Sequence, residues 1–407
     1  MNNETIAKNN SNPFKKGFLS HFSLDFDLFK IQDSDIQRLD NKLNSFEKIF
    51  LDPNIEKTLI SKNELLASFA ISKAENSQLT LEEAEDIYKF VIENKDFDFI
   101  SKKISSGKKL EKKDYEKLEF FNIASTFRAL NANPFMIQEL DDKLIRKIHF
   151  DITKGLDIFA KYLPEFTLYK SGNWRDNNEI RVGKYTPSDF KDIPNSISDL
   201  ISWFKDNQSI TNVAIFHTAL YAIHPFNNGN KRVCRIIEHI LLKIIGLNKN
   251  NLYSNSYFYH KEKTRYYKYL LSSLERRNLN IFSSFILESI VFSILGVIKT
   301  SLEIKRQQYI AQSELDKAVQ KAIKGLIKRR ELQFKNFYKI VKNQISKQTF
   351  VNYLEKAVSA GILIKRDAGK ATYYRLNIET DEEKLLAELL EDIKGKVGVI
   401  DEDLRLV

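Results

Sequence analysis

The chain has 407 residues, 43% hydrophobic and 29% charged, which is enough apolar material for two or three cores and excludes a disordered, collagenous or multi-span membrane protein. Its 64 Lys and Arg against 54 Asp and Glu leave a net charge of +10, and residues 313–375 alone carry 15 basic and 5 acidic residues. Residues 376–407 reverse the sign, with 4 basic and 10 acidic side chains. One cysteine, Cys234, can neither close a disulfide within the chain nor build a thiolate zinc site, so a reducing compartment, the cytoplasm, is expected.

With 7 Pro and 13 Gly punctuating long runs of helical apolar spacing, the expected fold class is mainly α. Residues 1–20 read as a flexible polar arm that lacks the apolar stretch of a signal peptide. Residues 21–113 form a helical region with helices at 33–50, 64–75 and 80–94, the last opened by a capping box of Thr80 and Glu83. A second helical block, 114–298, is interrupted at 167–186, where Gly172, Gly183 and Asn177-Asn178 predict a β-hairpin. Its last apolar stretch, 281–298, contains Ser283, Ser284, Glu288, Ser289 and Ser293 and is expected to be a buried helix, not a span.

A linker helix follows at 299–312. Residues 313–378 then read as helices 334–342 and 347–360 and strands 362–366 and 372–376, the order of a winged helix-turn-helix domain. Its helix offers Lys347, Gln348 and Asn352, and its wing Lys365 and Arg366, to a nucleic acid; a protein-docking role has equal standing. Residues 379–407 are an acidic tail.

The chemistry concentrates in residues 211–242. An apolar helix runs into His224-Pro225, and because proline disfavours the α region for its predecessor, His224 is expected at the helix stop, facing a cleft. Gly229 permits close backbone approach, and the next helix, opening near Asn230, presents unpaired N–H groups and a positive dipole end to an anion. Arg232 and Arg235, three apart, share a face beside it. Taken singly, His217 reads as a hydrogen-bonded core histidine and Cys234 as a small buried residue.

The string His224-Pro225-Phe226-Asn227-Asn228-Gly229-Asn230-Lys231-Arg232-Val233-Cys234-Arg235 resembles the signature of the Fic family, H-P-F-x-[D/E]-G-N-[G/K]-R-x-x-R. Gly172-Asn173-Trp174-Arg175 with Ile180-Arg181-Val182-Gly183 is similar to the family's flap hairpin, although Trp174 and Arg175 also suit a simple brace. Arg265-Tyr266-Tyr267 resembles its nucleotide-side helix. The resemblance implies a Fic core at 114–298 that transfers AMP from ATP to a Tyr, Ser or Thr hydroxyl of a target protein. His224 would be the general base. Gly229, Asn230, Lys231, Arg232, Arg235, Tyr266 and Tyr267 would hold the nucleotide. Asn228 stands where the family carries an acidic Mg²⁺ ligand.

Upstream, Ile71-Ser72-Lys73-Ala74-Glu75-Asn76 resembles the inhibitory motif [S/T]-x-x-x-E-[G/N], with Ile71 at the Ser/Thr position; Glu75 would pair with Arg235 in place of a γ-phosphate. Expected partners are the target protein, DNA through the winged helix and a second copy of the chain, with no membrane. An alternative function is a DNA-binding regulator whose Fic core only senses a nucleotide, catalysis having weakened through Asn228.

Overall fold

Helices dominate the protein, with one small sheet. The computed structural model describes residues 12–46, 52–75, 77–95, 97–133 and 135–397, apart from the Glu75 side chain. The chain divides into two units, Met1–Asn41 with Ile60–Ser293, and Lys42–Leu59 with Ile294–Val407.

Of the expected polar arm, residues 1–11 lie outside the described residues and residues 12–20 are folded into the first unit. Phe14 and Leu19 are buried, and the Asn12 amide donates to the Leu19 (3.0 Å) and Phe22 (2.6 Å) carbonyls. After α1 (Asp33–Asn44) and α2 (Pro53–Ser72), a 3-10 turn, Lys73–Glu75, leads to α3 (Leu81–Ile92). The capping box of Thr80 and Glu83 opens α3. Helices α4 (Phe99–Ser105), α5 (Lys112–Ala132) and α6 (Asp142–Thr153) follow, and α5 packs against both α3 and α6. Glu64 on α2 accepts from the Tyr88 hydroxyl (2.5 Å) and from Arg128 (2.9 Å), which pins α2 to α3 and α5.

The expected hairpin at 167–186 is a folded loop in which the one ladder contact is a bridge between Val182 and Tyr185, each N–H meeting the other's carbonyl at 3.0 Å. Side chains replace the ladder: Arg175, Asn177 and Asn178 bond the loop's own backbone and that of its neighbours.

Helices α7 (Ile193–Asp206), α8 (Ile210–Ile223) and α9 (Asn230–Ile244) form the centre, with α8 packed on α7 and α9. Nearly every residue of α8 is buried, as its unbroken apolar run requires. Helices α10 (Asn255–Lys261) and α11 (Lys263–Glu275) close the site, and α12 (Leu279–Ala311) follows. By length and composition α12 could cross a membrane, yet 78% of its most apolar window is buried within the protein. Its serines are bonded internally, Ser283 to the Thr218 hydroxyl (2.9 Å) and Ser289 to the Ile286 carbonyl (2.6 Å).

In the second unit α13 (Lys317–Ile323), β1 (Glu331–Gln333), α14 (Phe334–Val341), α15 (Lys347–Ser359), β2 (Leu363–Ala368) and β3 (Ala371–Leu376) surround a core that includes Phe337, Phe350, Leu354 and Leu376. The sheet is antiparallel in the order β1-β3-β2, with Leu363 opposite Leu376 and Ala368 opposite Ala371. The strands run further than expected and leave a tight turn at Gly369-Lys370, where Gly369 takes a φ of 59°. The three-residue β1 was too short to announce itself by alternation. Within the acidic tail, α16 (Asp381–Asp392) is capped by Thr380, and its Glu383 pairs with Arg306 (3.0 Å) and Arg330 (2.9 Å).

Candidate active site

Helix α8 ends where Pro225 forbids another turn. His224 takes left-handed backbone angles, φ 54° and ψ 61°, while its N–H still donates to the Leu220 carbonyl at 3.2 Å. Arg175 holds this bend from the loop. Its backbone N–H donates to the Pro225 carbonyl (2.8 Å), its Nε–H to the His224 carbonyl (2.8 Å), and its Nη2 to the Ser188 carbonyl. Arg175 is thus the brace. Burial, with the Arg175 charge beside it, holds the His224 imidazole down to about 3, so the ring is neutral. Its Nδ1 is buried and, among the described residues, has no partner in hydrogen-bonding geometry, the Tyr221 backbone being its polar neighbour.

From His224 the chain turns back through Phe226. The Asn230 side chain closes the turn, its Oδ1 accepting from the Phe226 N–H (3.0 Å) and its Nδ2 donating to the Phe226 carbonyl (2.8 Å). Gly229, at φ 85°, is the N-cap of α9 and supplies no side-chain oxygen, so an anion at this terminus would meet the positive end of the helix dipole. A Cβ on Gly229 would lie 3.3 Å from the His149 ring.

His149, which sequence reasoning passed over, lies at the centre of this turn. The Gly172 N–H donates to its Nδ1 (2.9 Å), so the ring proton sits on Nε2 and faces the Asn228 carbonyl at 3.1 Å. One buried, neutral imidazole, held down to about 3 by burial, therefore ties the loop of Gly172 to the turn of Asn228. Its one trace in the sequence was a polar residue within the apolar stripe of Ile145, Ile148 and Ile152.

The two arginines of the signature have different surroundings. Arg232 is fully buried; it pairs with Glu119 and donates to the Tyr169 hydroxyl (3.1 Å) and to Asn228 Oδ1 (3.3 Å). Glu119 also accepts from the Tyr115 hydroxyl (2.6 Å). Expected at the phosphates, Asn230 and Arg232 here build the turn. Arg235 lies over the rings of Tyr266 (4.6 Å) and Tyr259 (5.2 Å), and its Nη1 donates to the Ala70 carbonyl at 3.0 Å. Tyr266 is buried beneath it and presents no face to a base; Tyr267 is half-buried, and its hydroxyl donates to the Ala74 carbonyl at 2.7 Å. Lys231 donates to the same carbonyl and to the Tyr267 hydroxyl, both at 3.2 Å. The end of α2 and the turn after it are thus latched onto Arg235, Lys231 and Tyr267 by main-chain carbonyls. The Glu75 side chain lies outside the described residues.

Asn228 is the residue expected to hold a metal. Its Oδ1 already accepts from the Gly229 N–H (2.7 Å) and from the Arg232 guanidinium, and a cationic donor pointed at the oxygen repels a divalent cation. Among the described residues no group of three or more His, Cys, Asp or Glu could hold a metal. These residues do not fit a resident Mg²⁺. The remaining two candidates are structural: His217 pairs with Glu238 in the core, and Cys234 is buried.

Residues 139–242, which span the turn and both of its flanking helices, match the model of the Fic/DOC family. The chain carries a Fic/DOC domain. Over 110 residues it is 26% identical to the protein adenylyltransferase fic-1 of Caenorhabditis elegans, a match covering 25% of this chain and 22% of that protein. Over 136 residues it is 27% identical to a probable protein adenylyltransferase of Aquifex aeolicus (strain VF5), covering 32% and 39%. The matched stretches span less than half of these curated relatives. Among solved structures, a Fic family protein from Desulfovibrio desulfuricans G20 aligns with a TM-score of 0.48 at 18% identity, covering 86% of this chain and 95% of that one.

Proposed function

We infer that the Fic/DOC domain transfers AMP from ATP to a hydroxyl side chain of a target protein. The observation that carries this inference is the neutral His224 imidazole at the α8 stop, six residues before Asn230 opens α9 without a side-chain cap. A neutral imidazole accepts the proton of an attacking Tyr, Ser or Thr hydroxyl, and the hydroxyl oxygen then displaces pyrophosphate from the α-phosphorus. The incoming phosphates raise the affinity of His224 for that proton, because burial and Arg175 now disfavour the charged ring. The α9 N–H groups stabilise the charge that develops on the phosphoryl oxygens.

The resting site is autoinhibited in this proposal. Carbonyls of Ala70 and Ala74 occupy Arg235, Lys231 and Tyr267, which supports a segment that competes with the nucleotide, with Glu75 next in the chain. Helices α13–α15 and the β2–β3 hairpin we take as a winged helix whose exposed Lys347 and Lys365 face a polyanion. The test of the main proposal is labelling with ATP carrying an α-phosphate label. His224→Ala should lower transfer by about 10²- to 10⁴-fold and leave nucleotide affinity within twofold of the parent. Unchanged transfer would remove His224 from the mechanism.

A further inference from the structure

Asn228 is held at both of its oxygens. Its main-chain carbonyl accepts from His149 Nε2 at 3.1 Å, and its side-chain Oδ1 accepts from the Gly229 N–H at 2.7 Å and from Arg232 Nη2 at 3.3 Å. Arg232 is itself fixed: it is fully buried, pairs with Glu119, donates to the Tyr169 hydroxyl at 3.1 Å and lies 5.2 Å from the centre of the Tyr169 ring. Glu119 also accepts from the Tyr115 hydroxyl at 2.6 Å, and the Tyr169 N–H donates to Asp157 at 2.7 Å. The guanidinium that meets Asn228 is thus positioned from α5 and from the loop after α6.

This arrangement decides which way round the Asn228 amide sits. A guanidinium and a backbone N–H carry donors only, so the atom facing both must be an acceptor, and the reversed amide would set its NH2 against two donors. The amide is planar, with its oxygen and nitrogen on opposite sides of Cγ, so turning Oδ1 toward Gly229 and Arg232 turns Nδ2 away from both. Asn228 is half-buried, and its Nδ2, with two N–H donors, has no hydrogen-bond partner among the described residues. It stands one residue before the Gly229 cap, beside the positive end of the α9 dipole. In the same turn His224 Nδ1 is buried and, among the described residues, also without a partner. A carboxylate at 228 would keep an acceptor for Gly229 and Arg232 and present a second oxygen outward, which attracts a cation; the amide presents a donor, which attracts an anion.

We propose that Asn228 binds the nucleotide directly, donating a hydrogen bond from Nδ2 to a phosphate oxygen, so that this position serves as an anion ligand and not as a cation ligand. The proposal rests on the assignment of the α9 terminus to the phosphates of ATP. A donor on a neutral side chain meets a phosphate oxygen through a charge-assisted bond and needs no metal between them. Arg232 and Glu119 then act through Asn228 as positioning residues, because their pairing holds the guanidinium that orients the amide.

Calorimetric binding of ATP and of inorganic pyrophosphate to the full chain, with Mg²⁺ and with excess EDTA, tests this role. Wild-type affinity for ATP should change by less than threefold on removal of Mg²⁺. In EDTA, Asn228→Ala should weaken ATP and pyrophosphate by about tenfold, the worth of one hydrogen bond to a charged group. Asn228→Asp should weaken them further, because it replaces the donor by a negative charge, and Mg²⁺ should restore part of its loss. The order of the two variants separates ligand binding from support of the turn. Asn228→Asp keeps the acceptor for Gly229 and Arg232 and should melt no lower than the parent, so a residue that only held the turn would lose more affinity as Asn228→Ala. That order, or loss of wild-type affinity in EDTA, overturns the proposal. Should Asn228→Asp fail to fold, wild-type affinity for pyrophosphate in Asn228→Ala overturns it alone. A parent chain that binds neither anion overturns both this role and the transferase reading. If the variants behave as expected but His224→Ala leaves transfer unchanged, the transferase reading fails and the donor role of Asn228 stands.

Discussion

His149 lies flat on Phe226, the two ring centroids 3.8 Å apart and the planes within 5° of parallel. Phe226 in turn meets Trp174 at 4.9 Å, so aromatic contact continues from α6 through the turn into the loop of Gly172 and Arg175. Because both ring nitrogens of His149 are also bonded, the turn that carries His224 is positioned by a residue 75 places earlier in the chain.

Replacing His149 should therefore be costly. His149→Ala loses a stacked pair and two neutral hydrogen bonds, worth together about 2 to 4 kcal/mol. Urea unfolding should report that loss. His149→Gln, which can keep one hydrogen bond, should recover part of it. A loss below 1 kcal/mol would show that the turn is held by Asn230 and Arg175 alone.

Stability should fall on acidification. His149, His224 and His239 are buried and held down to about 3, whereas an unfolded histidine titrates near about 6.5. Between these values the unfolded chain binds more protons than the folded one, so stability rises with pH through this window, is complete above it, and is lost as pH falls from 6.5 toward 3. Each histidine contributes a slope of up to about 1.4 kcal/mol per pH unit. His239→Gln should flatten the dependence by about one such increment. Denaturation midpoints that are equal at pH 7 and pH 5 would contradict these shifts. The transfer rate should likewise lack an inflection near pH 6.5 in the free enzyme, since His224 is already neutral there.

The latch has separable parts. Tyr267→Phe removes the 2.7 Å bond to the Ala74 carbonyl and leaves the ring in place. Loss of one neutral hydrogen bond, about 1 kcal/mol, should raise auto-labelling by about fivefold. Glu75→Gly should raise it as well, and the double variant should exceed either single one. Arg235→Ala should not, because it removes the latch and the phosphate ligand together. Auto-labelling that is equal in wild type, Tyr267→Phe and Glu75→Gly would rule out autoinhibition by this segment.

The basic second unit should bind duplex DNA with affinity that falls steeply with salt, at a log–log slope of about −0.9 for each phosphate neutralised. Lys347→Ala should reduce that slope by about one unit. Arg366→Ala should reduce it less, because Arg366 already holds Glu331 through two bonds, at 3.0 and 2.6 Å. Fluorescence anisotropy across a salt series measures both. A slope near zero would instead support a protein-docking role.

What the sequence determined by itself was local. The stop of α8 follows from Pro225, the opening of α3 from Thr80 and Glu83, and the β2–β3 hairpin from alternation around Gly369, all interactions within a few residues. The signature string located the turn for the same reason, its residues being contiguous. The tertiary structure decided which side chains face a ligand and which build the turn. Arg232 meets Glu119 from 113 positions away, Arg235 meets Ala70 from 165, and Tyr267 meets Ala74 from 193. No periodicity connects such pairs. Hydrogen bonds act over about 3 Å in space and not along the chain, so only the packed fold brings such pairs together.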